Sequence, residues 1–359
     1  MSEVTTDLRG LLPEELATVL QSWGQPAYRA KQLFGWMQKQ AVTDPAQMTN
    51  LPAALRELVQ ASGQLPPFTR VSKRVARDGT AKYLWQLADG ECIESVLMTY
   101  RRATTRDRAT VCISTQAGCA LQCRFCATGQ QGFRRNLSAG EIVGQVLAIT
   151  ADQQEQQADF AVTNVVLMGM GEPFLNYDAV RQAILLLNHP QGQALGQRRI
   201  SVSTAGIVPG IERFTAEGWE VNLALSLHGA DDETRSSLMP INQRYPLVEV
   251  MAACRRYWLT SKRRLTVEYA LMAGINDRPD DARRLGAWFR DWPVHFNLIP
   301  VNPVAGSGTQ HPGSVGVKRF AAELARYGIE AVVREERGTD IEAACGQLRG
   351  VLAGQDEGE

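Results

Sequence analysis

The chain has 359 residues, 44% hydrophobic and 21% charged, with 38 basic and 38 acidic side chains. That balance gives ample material for a core, and a net charge of zero argues against a strongly basic nucleic-acid binder without excluding a local basic face. No apolar run approaches the roughly 18–20 residues of a spanning helix, and the opening MSEVTTDLRG lacks the basic and apolar regions of a signal peptide, so a cytoplasmic protein without membrane contact is expected.

The first stretch reads as helical. In PEELATVLQSWG the apolar Leu16, Val19, Leu20 and Trp23 fall at helical spacing, and in PAYRAKQLFGWMQK so do Ala27, Ala30, Leu33, Phe34 and Met37. LPAALRELVQASG reads as a further short helix and LPP (65–67) as a linker, which closes a small helical domain over residues 1–67. A β-rich passage follows over 68–108, punctuated by Asp-Gly at 78–79 and 89–90, and reads as a hairpin or meander.

From residue 109 to 352 strands and helices alternate. Strand-like runs appear in ATVCIST, NVVLMGM, RISVSTA, EVNLALSLH, LTVEYALM, VHFNLIPV and IEAVVRE. Between them lie helical patterns such as SAGEIVGQVLAI, YDAVRQAILLLN, LVEVMAACRRYW and DARRLGAWFRDW. Such alternation predicts right-handed βαβ units around a parallel sheet, with about six units forming a partial or complete barrel. The tail, 353–359, is expected to fray. Polar and glycine-rich signatures follow successive strands: GCALQCRFC, GEP, STAG, SLHG and Asn-Pro. In parallel α/β folds the site lies at the carboxyl ends of the strands, so all five converge on one rim.

Seven cysteines are an odd number, and Cys119, Cys123 and Cys126 lie within eight residues. Iron–sulfur clusters take thiolate ligands, normally four. Three would leave one iron of a four-iron cluster open to a substrate, the logic that separates catalytic from structural zinc. A zinc site completed by a distant ligand, His228 or His295, is the alternative. The C-x3-C-x2-C spacing after a first strand favours the cluster. Arginine and lysine also gather at 101–108, 134–135, 198–199 and 262–264. Each alone reads as solvated surface charge, and several near the motif loops would point to RNA.

C-x3-C-x2-C leaving a barrel strand, with GEP after the next strand, resembles the radical S-adenosylmethionine superfamily. GQPAYRAKQLFGWMQK, DGTAKYLWQLADG, ATVCISTQAGCALQCRFCATGQQGFRRNLSAGEIVGQV, VLMGMGEP, SLHGADDETRSSLMPIN and DIEAACGQLRG narrow the likeness. Together they resemble the RlmN family of dual-specificity RNA adenine C2-methyltransferases, from about residue 10 to 352. The resemblance implies a partial (β/α)6-type barrel carrying the N-terminal helical domain as an RNA-binding accessory and the meander as an extension.

It also implies residue roles. Cys119, Cys123 and Cys126 would hold a [4Fe–4S] cluster. Gly171, Glu172, Ser203, Ser226, Leu227, His228 and Asn302 match S-adenosylmethionine-binding positions, two molecules of the cofactor being used per turnover. Cys345 would carry a methyl group, from which a radical would take a hydrogen before the carbon adds to adenine C2. Cys112 would deprotonate C2 and attack the sulfur of Cys345, releasing the methylated RNA and leaving a Cys112–Cys345 disulfide for later reduction. Glu94 matches an acidic residue assigned as proton acceptor or adenine anchor. Cys92 and Cys254 match no motif position and read as structural. Without the resemblance, Cys112 and Cys345 would read as inert thiols.

The implied targets are an adenosine in the peptidyl-transferase region of 23S rRNA and the adenosine 3′ to the anticodon of certain tRNAs, bound with the base extruded. A flavodoxin or ferredoxin system would supply electrons, and the protein would act as a monomer. Three rival readings remain at this point. They are the related C8-specific 23S rRNA adenine methyltransferase of the antibiotic-resistance type, a radical enzyme that does not methylate, and a non-catalytic zinc-containing RNA-binding protein.

Overall fold

The computed structural model describes residues 7–62, 64–66, 68–100, 107–302, 304–335 and 337–350. The tail and most of the 101–108 arginine cluster lie outside them. Helix α1 (Pro13–Ser22) starts with proline at its first position and buries Leu16 and Leu20. The helix expected through PAYRAKQLFGWMQK divides into α2 (Arg29–Phe34) and a π turn over Gly35–Lys39. Helix α3 (Ala53–Ser62) buries Leu55 and Val59 against the same small core.

The β-rich passage is an antiparallel meander of β1 (Thr69–Val75), β2 (Ala81–Gln86) and β3 (Cys92–Tyr100). Gly79 and Gly90 supply the positive φ that its two Asp-Gly turns need. The meander is continuous with the catalytic sheet, because β3 pairs antiparallel with β4 (Arg108–Cys112). Parallel strands then follow: β7 (Asn164–Leu167), β8 (Ile200–Thr204), β9 (Asn222–Ser226), β10 (Leu265–Leu271), β11 (Val294–Pro300) and β12 (Ala331–Val333). A separate pair, β5 (Gln116–Gly118) and β6 (Phe133–Asn136), brackets the cysteine loop and was not expected.

Among the described residues ten strands form one open sheet in the order β1-β2-β3-β4-β7-β8-β9-β10-β11-β12. The crossover helices are α5 (Ala139–Gln154), α6 (Tyr177–Asn188), α7 (Val208–Ala216), α9 (Leu247–Ser261), α10 (Pro279–Phe289) and α11 (Gly313–Arg326). Short helices α4 (Ala127–Gln130) and α8 (Asp232–Leu238) sit in the loops. Sequence periodicity missed α7 because Pro209 and Gly210 open it, a proline position that the first helical turn tolerates.

The two faces of the parallel sheet differ in chemistry. Val111, Val165, Ile200, Val202, Leu223, Leu225, Val267, Phe296 and Leu298 are all fully buried. Alternate positions carry Cys112, Ser203, Ser226, Glu268 and Asn297. Side chains alternate across a strand, so helices cover an apolar outer face while a polar inner face lines the lumen. A closed barrel would fill its interior with branched apolar side chains; here the inner face carries a thiol, hydroxyls, a carboxyl and an amide at those positions.

Candidate active site

Cys119 follows β5, and its amide donates to the Gly132 carbonyl (2.9 Å), closing the loop against β6. Gly118 before it has φ of +71°, and a Cβ there would lie 2.0 Å from that carbonyl, so only glycine lets the two strands close. Cys123 and Cys126 form the next turn, with the Cys126 amide on the Cys123 carbonyl (3.1 Å). Phe125 between them meets the His228 imidazole edge-on, ring centroids 4.7 Å apart.

Among the described residues no three His, Cys, Asp or Glu side chains are placed to hold a single metal ion. A cluster asks for something different, a separate iron under each thiolate. Burial pushes the Cys119 thiol up to about 12 and Cys123 well above its ordinary range, and neighbouring thiols and the Glu172 carboxyl add to both shifts. Mutually repelling buried thiols fit a cationic cluster, whose charge would let them ionise. His295 opens β11 at the opposite rim, level with Thr266 on β10. The ring of His228 is already committed: its Nδ1 accepts from the Ala270 amide (2.9 Å), and burial lowers it to about 3.

Gly171 and Glu172 follow β7. Glu172 is buried, its Oε1 accepting from the Phe174 amide (3.0 Å) and its Oε2 from the Ala205 amide (2.8 Å). Burial still raises its carboxyl to about 7, against those donors. A buried carboxylate with amide donors and, among the described residues, no ion-pair partner suits an ammonium group. Ser203 on β8 and Ser226 on β9 bring their hydroxyls within 3.1 Å. The Leu227 amide donates to the Glu268 carbonyl (3.0 Å), and His228 takes a left-handed φ of 54°. Asn302 is buried just past β11.

Cys112 ends β4, and burial pushes its thiol up to about 12, with Cys345 adding to the shift. The surface of Cys345 is exposed, yet protein surrounds it closely enough that burial raises its thiol as well. The Arg334 guanidinium favours both thiolates, while Glu268 and Cys126 disfavour that of Cys345. Cys345 sits on a segment bound to the cysteine loop: the Ala127 amide donates to the Gly346 carbonyl (2.7 Å), and the Thr128 hydroxyl to that of Leu348 (2.6 Å). Chain positions 112, 119–126 and 345 thus meet at one end of the lumen. All seven cysteines are free thiols, Cys92 and Cys254 lying buried outside this group.

Residues 113–285 match the Radical SAM superfamily, and residues 6–63 match the ribosomal RNA large subunit methyltransferase N-terminal domain. A probable dual-specificity RNA methyltransferase RlmN of Heliobacterium modesticaldum is 66% identical over 99% of this chain and 92% of its own. The chain belongs to the RlmN family. The dual-specificity RNA methyltransferase RlmN of Sorangium cellulosum is 45% identical over 94% of both chains. A crystal structure of a radical SAM methyltransferase from Sphaerobacter thermophilus superposes with a TM-score of 0.91, at 45% identity, over 96% of this chain and all of that one.

This RlmN-family chain is therefore a radical S-adenosylmethionine RNA methyltransferase, and the family implies a [4Fe–4S] cluster and S-adenosylmethionine. The zinc-protein reading falls with that membership. Among the described residues no helix is long and apolar enough to cross a membrane.

Some participants escaped the sequence reading. Arg235 is fully buried and ties three loops together, donating to the Leu227 and Ala205 carbonyls and to the Asn242 side chain. Glu268 and Asn297 pair across the lumen face at 2.8 Å. A glutamate inside the apolar run LTVEYAL was the available signal. The arginine clusters divide: 198–199 and 262–264 precede β8 and β10 and lie at the opposite rim, where Arg198 pairs with Glu220. Arg134 and Arg135 flank the cysteine loop on β6, with Arg135 held by Asp89 and Glu141.

Proposed function

We propose that this enzyme methylates C2 of one adenosine in the peptidyl-transferase region of 23S rRNA and of the adenosine 3′ to the anticodon in tRNAs. The observation that carries this reading is the meeting of Cys112 and the exposed Cys345 at the lumen end, on a segment hydrogen-bonded to the cysteine loop. A cofactor-binding barrel that did not methylate through cysteine would have no use for two such thiols.

Cys119, Cys123 and Cys126 would hold the cluster. Gly171, Glu172, Ser203, Ser226, Leu227, His228 and Asn302 would seat S-adenosylmethionine, Glu172 taking its ammonium. When bound, these groups supply a carbon radical able to take a hydrogen atom from a methyl group, one further cofactor molecule being consumed to methylate Cys345. Adenine C2 is electron-poor and offers no lone pair to an ordinary methyl donor, which is why a radical route is needed. Cys345 presents the one-carbon unit and remains bonded to it when the new bond to C2 forms. Cys112 would then take the proton from C2 and bond its sulfur to that of Cys345 as the carbon–sulfur bond breaks, the freed carbon taking up a proton to become the methyl group and the unpaired electron of the adduct passing to the redox centre. The base must leave its stack to reach this depth. Phosphate contacts fall to the N-terminal helical unit, where Arg29 lies 4.8 Å over the exposed Tyr28 ring, and to Arg134. Electrons would come from a flavodoxin or ferredoxin system.

Peptide mass spectrometry of protein purified without oxygen tests the reading. A methyl group on Cys345 is expected, and C2-methyladenosine rather than the C8 isomer in treated RNA. An unmodified Cys345 after cluster reconstitution and incubation with S-adenosylmethionine would overturn it.

A further inference from the structure

Lys82 on β2 and Glu94 on β3 are both buried, and the Lys82 Nζ lies 3.0 Å from the Glu94 Oε1. The strand register explains the meeting. Glu94 stands opposite Leu84 and Lys82 opposite Val96, so the two are diagonal neighbours on one face. Val96 in turn stands opposite Cys112 on β4, which makes that face the lumen face.

Burying two charges costs more than their attraction returns unless further hydrogen bonds satisfy them. Here the further bonds all go to one segment. The Lys82 ammonium also donates to the Glu342 carbonyl (3.1 Å). The Glu94 Oε2 accepts from the amides of Arg349 (2.6 Å) and Gly350 (3.3 Å). Cys345 lies between those two grips, on a stretch that follows the short 3-10 turn Thr339–Ile341 and, over its described residues, enters no helix or strand. Its position is set by what grips it, the Lys82–Glu94 pair at Glu342 and at Arg349 and Gly350, and the cysteine loop at Gly346 and Leu348.

We propose that Lys82 and Glu94 form a clip that fixes the position of the Cys345 sulfur, and that Glu94 acts as a positioning residue rather than as the acceptor of the adenine C2 proton. This rests on the methyl-cysteine reading above. Both Glu94 oxygens are already engaged, one by an ammonium and one by two amides. The clip and the cysteine loop hold the same strap at alternating positions, so displacement of either moves the thiol relative to the cofactor.

A proton acceptor for C2 acts only when RNA is bound, whereas a clip acts before RNA arrives. The experiment therefore omits RNA. Lys82→Met, Glu94→Gln, the double variant and Lys82→Arg are purified without oxygen with the cluster reconstituted, and the mass of the Cys345 peptide is followed after S-adenosylmethionine is added. Methylation is expected to slow about a hundredfold in each neutralising single variant, the cost of an ångström-scale misplacement. The double variant should be no slower than the worse single one, and Lys82→Arg should recover most of the rate. Hydrogen exchange at the Arg349 and Gly350 amides should quicken in Glu94→Gln while the rest of the sheet exchanges as before, which separates a loosened strap from a misfolded protein. Wild-type methylation of Cys345 in Glu94→Gln without RNA would overturn the clip. Failure of the wild-type enzyme to methylate Cys345 would instead remove the reading beneath it.

Discussion

The Phe125 ring stands edge-on to the His228 imidazole at 71°. This contact joins the cysteine loop to the turn after β9, across the lumen end. His228 is fixed by the Ala270 amide on its Nδ1 and by the Asn276 side chain on its carbonyl (2.8 Å), so it offers the loop an immobile wall. Replacing Phe125 with alanine removes that wall's counterpart while leaving all three cysteines. The expected result is an enzyme that assembles its cluster but loses it faster, with iron release on exposure to a chelator quickened by about tenfold or more. Unchanged release would show that the cysteines alone hold the loop.

His228 also predicts an acid sensitivity. Its folded value near 3 lies below the ordinary 6.5, with burial the main cause and Arg235 adding to it. The unfolded chain therefore binds a proton that the folded one refuses, and stability falls as pH drops from 6.5 toward 3. His228→Asn keeps an acceptor for the Ala270 amide and tolerates the left-handed φ. Urea midpoints of the metal-free protein at about pH 7 and about pH 5 should converge in this variant relative to wild type.

The two lumen thiols should label unequally. Cys112 is buried with its thiol near 12, whereas Cys345 presents its surface to solvent. Alkylation of the metal-free protein at neutral pH should modify Cys345 first, and the rate at Cys112 should still be climbing well above neutrality. Mass spectrometry of the two peptides over time reads this directly. Equal rates would mean that Cys112 is not enclosed.

Gly171 is a further position with one permitted residue. Its φ of +97° is a glycine conformation, and an added Cβ would sit 2.5 Å from the Gln116 Cβ. Gly171→Ala must shift either β5 or the Glu172 turn. Destabilisation of about 2–4 kcal/mol is expected by chemical denaturation, with S-adenosylmethionine binding weakened in parallel.

Much of this was legible in the chain. The cysteine trio, GEP and the strand-end signatures lie in short stretches, and the sheet brings them to one rim as βαβ logic requires. What stayed hidden depends on distance along the chain. Lys82 meets Glu342 across 260 positions and Glu94 meets Arg349 across 255. A lysine in a strand reads as a solvent-facing residue until its partners are known. The places of the basic clusters at 198–199 and 262–264, read one by one as solvated surface charge, were hidden for a related reason. Residues that precede a parallel strand lie at its amino end, so nearness in sequence to a motif loop became separation by the length of a strand.

The openness of the sheet carries a further cost. A closed barrel has no edges, whereas this one ends in two, β1 and β12. Unpaired edge strands invite other chains to add to them. On β1 the exposed Val71 and Val75 are interleaved with Arg70, Lys73 and Arg74, and a register irregularity between Arg70 and Ser72 breaks the edge. On β12 the safeguard is brevity, three residues with Val332 and Val333 uncovered. An open sheet thus leaves a flank exposed to self-association, held off at one end by charge and at the other by length.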